Sequence, residues 1–70
     1  MDVRQRIVQI VEAKYGRAEE NLMASGLVDS LRAVELAMLL EKEFSLNADT
    51  FALSDMKTVS SISKRVLAGS

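Results

Sequence analysis

The residue types in this sequence that converge on chemistry lie in Gly26-Leu27-Val28-Asp29-Ser30-Leu31, where a hydroxyl directly follows a carboxylate. The stretch after it is filled with Leu, Ala, Met, Glu and Lys, all helix-favouring, and Asp and Ser are both favoured N-cap types. A helix is therefore predicted over about Ser30–Phe44, with Ser30 at its mouth. A helix N-terminus presents unpaired N–H groups and the positive end of the macrodipole, so a phosphate attached there gains ~0.3–1 kcal/mol at an exposed site. Ser30 is well placed to bear a phosphodiester. Asp29 repels a bare phosphate, but it fits a transfer from a diphosphate donor with a bound cation, since carboxylate and phosphate oxygens are what Mg²⁺ prefers. The competing reading is an ordinary capping pair worth ~1 kcal/mol, and on the dipeptide alone that reading wins.

The residues that are missing narrow the chemistry further. There is no histidine and no cysteine, so any nucleophile–base pair would have to come from Ser, Lys, Asp or Glu, and the soft-metal ligands are absent. A small hydrolase built on Ser30 would lack a His base and an evident oxyanion-hole loop. Seventy residues also leave little room for a water-excluding pocket beside a core. The expectation is a protein that is not an enzyme. A net charge of −1 argues against the phosphate-neutralising surface of a nucleic-acid binder. No apolar run approaches the roughly 18 residues of a membrane span, and Met1-Asp2-Val3-Arg4 lacks the layout of a signal peptide. A cytoplasmic monomer that binds neither nucleic acid nor membrane is expected. The starting Met1 suggests a complete small protein or an excised domain with an added start, with residues 1–70 forming a single domain. Such a chain buries only about 60% of its unfolded surface and has no disulfide to help, so its core must be efficient.

The elements that must position Ser30 are legible as helices. Val3, Ile7, Ile10, Val11 and Lys14 recur with helical spacing from about Asp2 to Tyr15, the Lys14 stem lying along the stripe. Asp2 followed by Gln5 resembles a capping box, and Gly16 is a natural stop. From Arg17 to Asp29 the period lapses: Glu19, Glu20 and Asn21 read as solvated loop, while Leu22, Met23, Leu27 and Val28 are apolar anchors and Gly26 allows a tight bend. Asn47 to Leu53 reads as a short helix or a packed loop, with Asp49 or Thr50 as N-cap and Phe51 as anchor. Thr58 caps a last helix through about Leu67, whose inner stripe is Val59, Ile62 and Val66 and whose solvent face includes Ser60, Ser61 and Ser63. The fold class is all-α, a four-helix bundle of three longer helices and one short one.

The helix after Ser30 has nearly two apolar faces. Ala33, Leu36, Ala37, Leu40 and Phe44 form one, which should meet the core. Leu31, Val34 and Met38 drift onto a second, beside Glu35 and Lys42. A lone capping pair has no use for that second face, whereas apolar residues with a charged rim beside a modifiable hydroxyl fit a docking surface for partner enzymes. Methionine suits a surface that must accept several partners. For Val34, cover by a loop and exposure are equally compatible with the pattern.

Asp29-Ser30-Leu31 followed by Val34-Glu35-Leu36, Met38, Leu40 and Glu41 resembles the modification site and recognition helix of the acyl carrier and peptidyl carrier proteins. The resemblance extends over nearly the whole chain, through the first amphipathic helix, the long loop with Leu22 and Gly26, and Thr58-Val59 opening the last helix. It implies that Ser30 receives 4′-phosphopantetheine from coenzyme A, with Asp29 assisting the transfer. It also implies a thiol at the end of the arm that holds acyl or aminoacyl groups as thioesters, which explains a carrier with no cysteine. Leu31, Val34, Glu35 and Met38 would contact the phosphopantetheinyl transferase, the loading ligase and the downstream acyl-processing enzymes. In some members the bundle opens between its second and third helices to shelter an acyl chain. One departure bears on the pathway. Fatty-acid carriers are strongly acidic along this helix, whereas here Arg32 follows Leu31 and Lys42 sits between Glu41 and Glu43. The sequence looks closer to stand-alone carriers for amino acids, polyketides or nonribosomal peptides. The alternative is a carrier-like bundle that acts only as a protein-interaction adaptor.

Overall fold

The computed structural model describes residues 2–69. Three α-helices, α1 (Val3–Tyr15), α2 (Ser30–Glu43) and α3 (Val59–Gly69), are joined by a long loop and by a segment containing one 3-10 turn, Leu53–Met56. α1 begins where Asp2 caps it, but the carboxylate takes the amide of Arg4 at 3.1 Å rather than that of Gln5, so the expected capping box is replaced by a simple cap. It ends at Gly16, whose φ of 84° lets its N–H return to the Glu12 carbonyl at 2.8 Å, a conformation with little cost only for glycine. Ile7 and Val11 are fully buried, Val3 and Ile10 partly. Lys14 departs from expectation: it is exposed and holds its ammonium 5.6 Å from the Tyr15 ring centroid instead of covering the stripe.

The loop between α1 and α2 is pinned to the start of α3. Leu22 and Met23 donate their N–H groups to the Lys57 carbonyl at 2.9 and 3.3 Å, Val59 donates to the Glu20 carbonyl at 2.9 Å, and Asn21 and Thr58 form an antiparallel bridge. Leu22, Leu27 and Val28 enter the core, and Gly26 turns the chain at φ 82°.

Glu20, expected as a solvated loop residue, has a further task. One carboxylate oxygen pairs with Arg4; the other accepts the Ser60 N–H at 3.1 Å, capping α3 from forty positions away. Arg4 also donates to the Ser60 hydroxyl at 2.8 Å. Hydrogen bonding to Ser60, side chain before backbone, holds the Glu20 carboxyl below its ordinary range against a partial desolvation that raises it, with Arg4 adding to the lowering. A folded-state value below the unfolded one means stability present above the ordinary glutamate range and lost as pH falls through the folded value. Glu20→Gln keeps an oxygen that can accept the Ser60 N–H but loses the charge, so it should lower the melting temperature at neutral pH by the equivalent of an exposed charge interaction, about 0.2–1 kcal/mol. In thermal melts run down an acid series, the gap between parent and variant should close. A gap independent of pH would show that the carboxylate charge contributes nothing.

α2 closes with a Schellman arrangement. Leu46 returns its N–H to the Glu41 carbonyl at 2.7 Å and Ser45 to Lys42 at 3.3 Å, with Ser45 in the left-handed region at φ 56°. The undecided segment after it is a loop followed by the 3-10 turn, later than the predicted Asn47–Leu53. Neither Asp49 nor Thr50 caps it: Asp49 has φ 65°, the Thr50 hydroxyl donates back to the Asn47 carbonyl, and Asp55 accepts the Ala52 N–H at 2.9 Å from inside the turn. Phe51 is the half-buried anchor the sequence suggested.

Thr58 caps α3 as expected, its Oγ1 accepting the Ser61 N–H at 3.0 Å. Of the three serines assigned to solvent, only Ser60 is exposed. Ser61 is half-buried and donates its hydroxyl to the Asp55 carbonyl at 2.7 Å, tying α3 to the 3-10 turn, and Ser63 bonds back to the Val59 carbonyl at 3.0 Å. α1 packs chiefly on α3, and the 3-10 turn bridges α2 and α3. Leu22, Leu36, Leu40, Met56 and Ile62 are the large side chains at the centre. Among the described residues, no helix is long and apolar enough to cross a membrane.

Candidate functional site

Two residue types that could each cap α2 stand side by side, and they divide the work. Asp29 takes the extended backbone of an N-cap, and its Oδ1 accepts the Arg32 N–H at 2.8 Å while its carbonyl accepts that of Ala33 at 2.8 Å. Ser30 becomes the first helical residue, exposed, with no hydrogen bond to its hydroxyl among the described residues. The capping-pair reading accounts for Asp29 and leaves Ser30 over. The hydroxyl sits where the first-turn amides and the helix dipole favour an anionic substituent.

The mouth is braced from two sides. Arg32 folds back so that its guanidinium donates to the Leu27 carbonyl at 3.3 Å, fixing the loop's exit. Tyr15, at the end of α1, donates its phenol to the Arg32 carbonyl at 3.3 Å, and so couples α1 to the first turn of α2. Burial raises the Tyr15 pKa first, the Glu35 and Asp29 carboxylates raise it further, and Arg32 offsets part of this. Sequence reading passed over Tyr15. Its signal was an aromatic with a polar tip just before a helix-stopping glycine, a place where such a ring packs across the end of its own helix.

The second apolar face is in the open. Leu31, Val34 and Met38 are 73%, 55% and 64% exposed, while Ala33, Leu36 and Leu40 on the other face are at most 1% exposed. Glu35 is exposed among them. Val34 is thus uncovered. Leu53, from the 3-10 turn, adds a further half-exposed apolar side chain that the sequence had left unassigned. With Val34 it lines a groove of about 70 Å³, together with Ala33, Ala37, Phe51, Ala52 and Met56.

The family model described as phosphopantetheine attachment site matches residues 3–66, from the start of α1 to near the end of α3. The chain belongs to that family. No curated protein and no solved structure matches it. Members of this family carry a covalently attached 4′-phosphopantetheine, and the chain is a phosphopantetheine-carrying carrier. Carrier domains of this kind are typically non-catalytic and interact with phosphopantetheinyl transferases and acyl-processing enzymes. The residues at the mouth of α2 fit such a group: a hydroxyl on the surface at a helix N-terminus, a carboxylate with one oxygen outside the cap bond, and open apolar surface alongside.

Proposed function

We propose that Ser30 bears the phosphopantetheine arm, and that the chain presents acyl or aminoacyl thioesters to enzymes of polyketide, nonribosomal peptide or amino-acid-carrier pathways. The observation that carries this reading is the division of labour at the mouth of α2, where Asp29 makes the cap bond and the Ser30 hydroxyl stays on the surface. The arm supplies the thiol on which cargo is held, so the chain needs no cysteine of its own. Tethering raises the local concentration of an intermediate at successive active sites, and the carrier does no chemistry itself.

Each neighbour has a part in this reading. Oδ1 of Asp29 holds the Arg32 amide, and the carboxylate would help hold the divalent cation that accompanies a diphosphate donor in the transfer. Leu31, Val34, Glu35 and Met38 form the surface that the transferase and the cargo-handling enzymes contact. Arg32 and Lys42 interrupt the acidic run along α2, and with a net charge of only −1 there is little long-range field to steer strongly basic partners. That charge balance supports the pathway assignment over housekeeping fatty-acid synthesis.

The test is the intact mass of the chain after incubation with coenzyme A, Mg²⁺ and a broad-specificity phosphopantetheinyl transferase. A gain of one phosphopantetheine, mapped by proteolysis to the peptide containing Ser30, is expected. No gain with several transferases would leave an adaptor that has kept the fold without the arm.

The partner surface has its own expected outcome. Met38→Ala should change stability by no more than about 0.5 kcal/mol, the range of ordinary surface substitutions. It should lower kcat/KM of loading or cargo-processing enzymes by roughly tenfold if Met38 anchors the contact. Denaturant melts and steady-state kinetics measure the two separately. Unchanged kinetics with every available partner would remove Met38 from the docking surface.

A further inference from the structure

Arg32, two residues past Ser30, is tied to three different parts of the chain. Its N–H donates to Asp29 Oδ1 at 2.8 Å and its guanidinium to the Leu27 carbonyl at 3.3 Å, while its own carbonyl accepts from the Tyr15 phenol at 3.3 Å. The first turn of α2 is thereby fixed both to the loop before it and to the end of α1. The Arg32 carbonyl already faces the Leu36 amide in the helical ladder, so the phenol adds restraint where satisfaction did not call for it. At about 100° per residue, Ser30 and Arg32 point to nearly opposite sides of the helix. The turn is held from behind, and Ser30 stays exposed in front. Tyr15 is itself firmly placed. Its ring is half-buried against the core, Gly16 ends α1 directly after it at φ 84°, and the Lys14 ammonium lies 5.6 Å from its centroid. Burial first, then the Glu35 and Asp29 carboxylates, raise its pKa against Arg32, so the phenol keeps the proton it donates.

We infer that Tyr15 and Arg32 are positioning residues for arm attachment, fixing the first turn of α2 so that the Ser30 hydroxyl meets the donor phosphorus in one orientation. The inference rests on the Ser30 reading and adds to it two residues that act through the turn rather than on the donor. In the transfer, the Ser30 oxygen forms a bond to the pantetheine-bearing phosphorus of coenzyme A. The bond from that phosphorus to the bridging oxygen breaks, the adenosine bisphosphate leaves with the electron pair, and the serine proton passes to a base on the transferase. Such a displacement needs oxygen, phosphorus and leaving group in line, and an error of about 1 Å can cost on the order of 100-fold. Helix ends fray first. A first turn tied to α1 and to the loop presents its hydroxyl already placed.

The experiment follows a single turnover, with a broad-specificity phosphopantetheinyl transferase in excess over the chain and coenzyme A and Mg²⁺ saturating. Quenched samples are read by intact mass across a range of transferase concentrations. Tyr15→Phe, which keeps the ring and removes only the hydroxyl, should lower the maximal rate roughly threefold, and Tyr15→Phe/Arg32→Ala roughly tenfold. The half-saturating transferase concentration should stay within about twofold of the parent, because docking is untouched. Arg32→Lys, which keeps a donor on a stem of similar reach, should recover most of the rate that Arg32→Ala loses. A second measurement, amide hydrogen exchange on the unmodified chain, needs no loading. In Tyr15→Phe the Arg32 and Ala33 amides should exchange on the order of fivefold faster, the factor an ordinary lost hydrogen bond carries, while Leu36 and Leu40 keep the parent's protection. An unchanged maximal rate overturns the inference. So does an effect confined to half-saturation, which would make these residues partner contacts, or faster exchange that reaches Leu36 and Leu40, which would make them general stabilisers. Should the parent take up no arm, the Ser30 reading fails, and the exchange measurement still decides whether Tyr15 holds the turn.

Discussion

Ser30→Ala should fold as the parent does and take up no arm under any loading condition. On the proposed assignment the loss should be complete, because the hydroxyl would be the bond-forming atom and no cysteine stands in for it. Stability should stay within about 0.5 kcal/mol, since the residue is exposed and the α2 cap belongs to Asp29, whose bond to the Arg32 amide needs nothing from Ser30. Alanine is also the best helix former, so the first position of α2 loses nothing in propensity. Circular dichroism would check the fold and intact mass the loading. A mass gain on the variant would move the attachment point elsewhere. A variant that failed to fold would mean that the serine hydroxyl, not the aspartate carboxylate, secures the start of α2.

The second large effect lies two residues before Met38 on the same helix. Leu36 is fully buried, at the centre of a core with Leu22, Leu40, Met56 and Ile62. Leu36→Ala removes that packing and leaves a cavity, at a cost of ~2–5 kcal/mol. A domain of this length has a total stability of roughly 3–10 kcal/mol, so the variant should lose a large fraction of it and, at the low end of that range, be unfolded at room temperature. Urea titration of parent and variant gives the difference directly, or shows no folded baseline at all. A cost under about 1 kcal/mol would mean that the inner face of α2 is not held against the core as the burial indicates. Set beside Met38→Ala, the pair separates the two faces of one helix by stability against partner kinetics.

Most of the frame was legible because its signals are local. Ile7 and Val11 in α1, Leu36 and Leu40 in α2, and Val59 and Ile62 in α3 fall at helical spacing, and all six are fully buried. Gly16 and Gly26 stand where the backbone takes positive φ. The outward placement of Leu31 and Met38 followed from counting apolar residues that one stripe could not absorb. What escaped was set by distant partners. Glu20 reads as solvated because nothing near it in sequence needs a carboxylate; the amide it caps belongs to Ser60. Ser61 reads as solvent-facing until the 3-10 turn brings the Asp55 carbonyl to it. The start of that turn was misplaced because Asp49 and Thr50 have the chemistry of caps, yet Asp49 takes a positive φ and the Thr50 backbone is tied to Glu41 and Arg65. At the site, the sequence brought Asp29 and Ser30 forward without deciding which would cap, and it had no means of placing the Tyr15 phenol on the Arg32 carbonyl.

The pairing of α1 with α3 carries a consequence for biosynthesis. Within this domain α1 leaves the ribosome before α3, its main packing surface, so the full cover of Ile7 and Val11 waits until the segment beyond Val59 has emerged. The Glu20 and Leu22 backbone bonds likewise wait for Lys57 and Val59. The domain has no half that packs on itself early, so its folding waits for its last helix. A translational stall within α2 would release a fragment with its apolar stripe bare, a natural client for holdase chaperones and proteases.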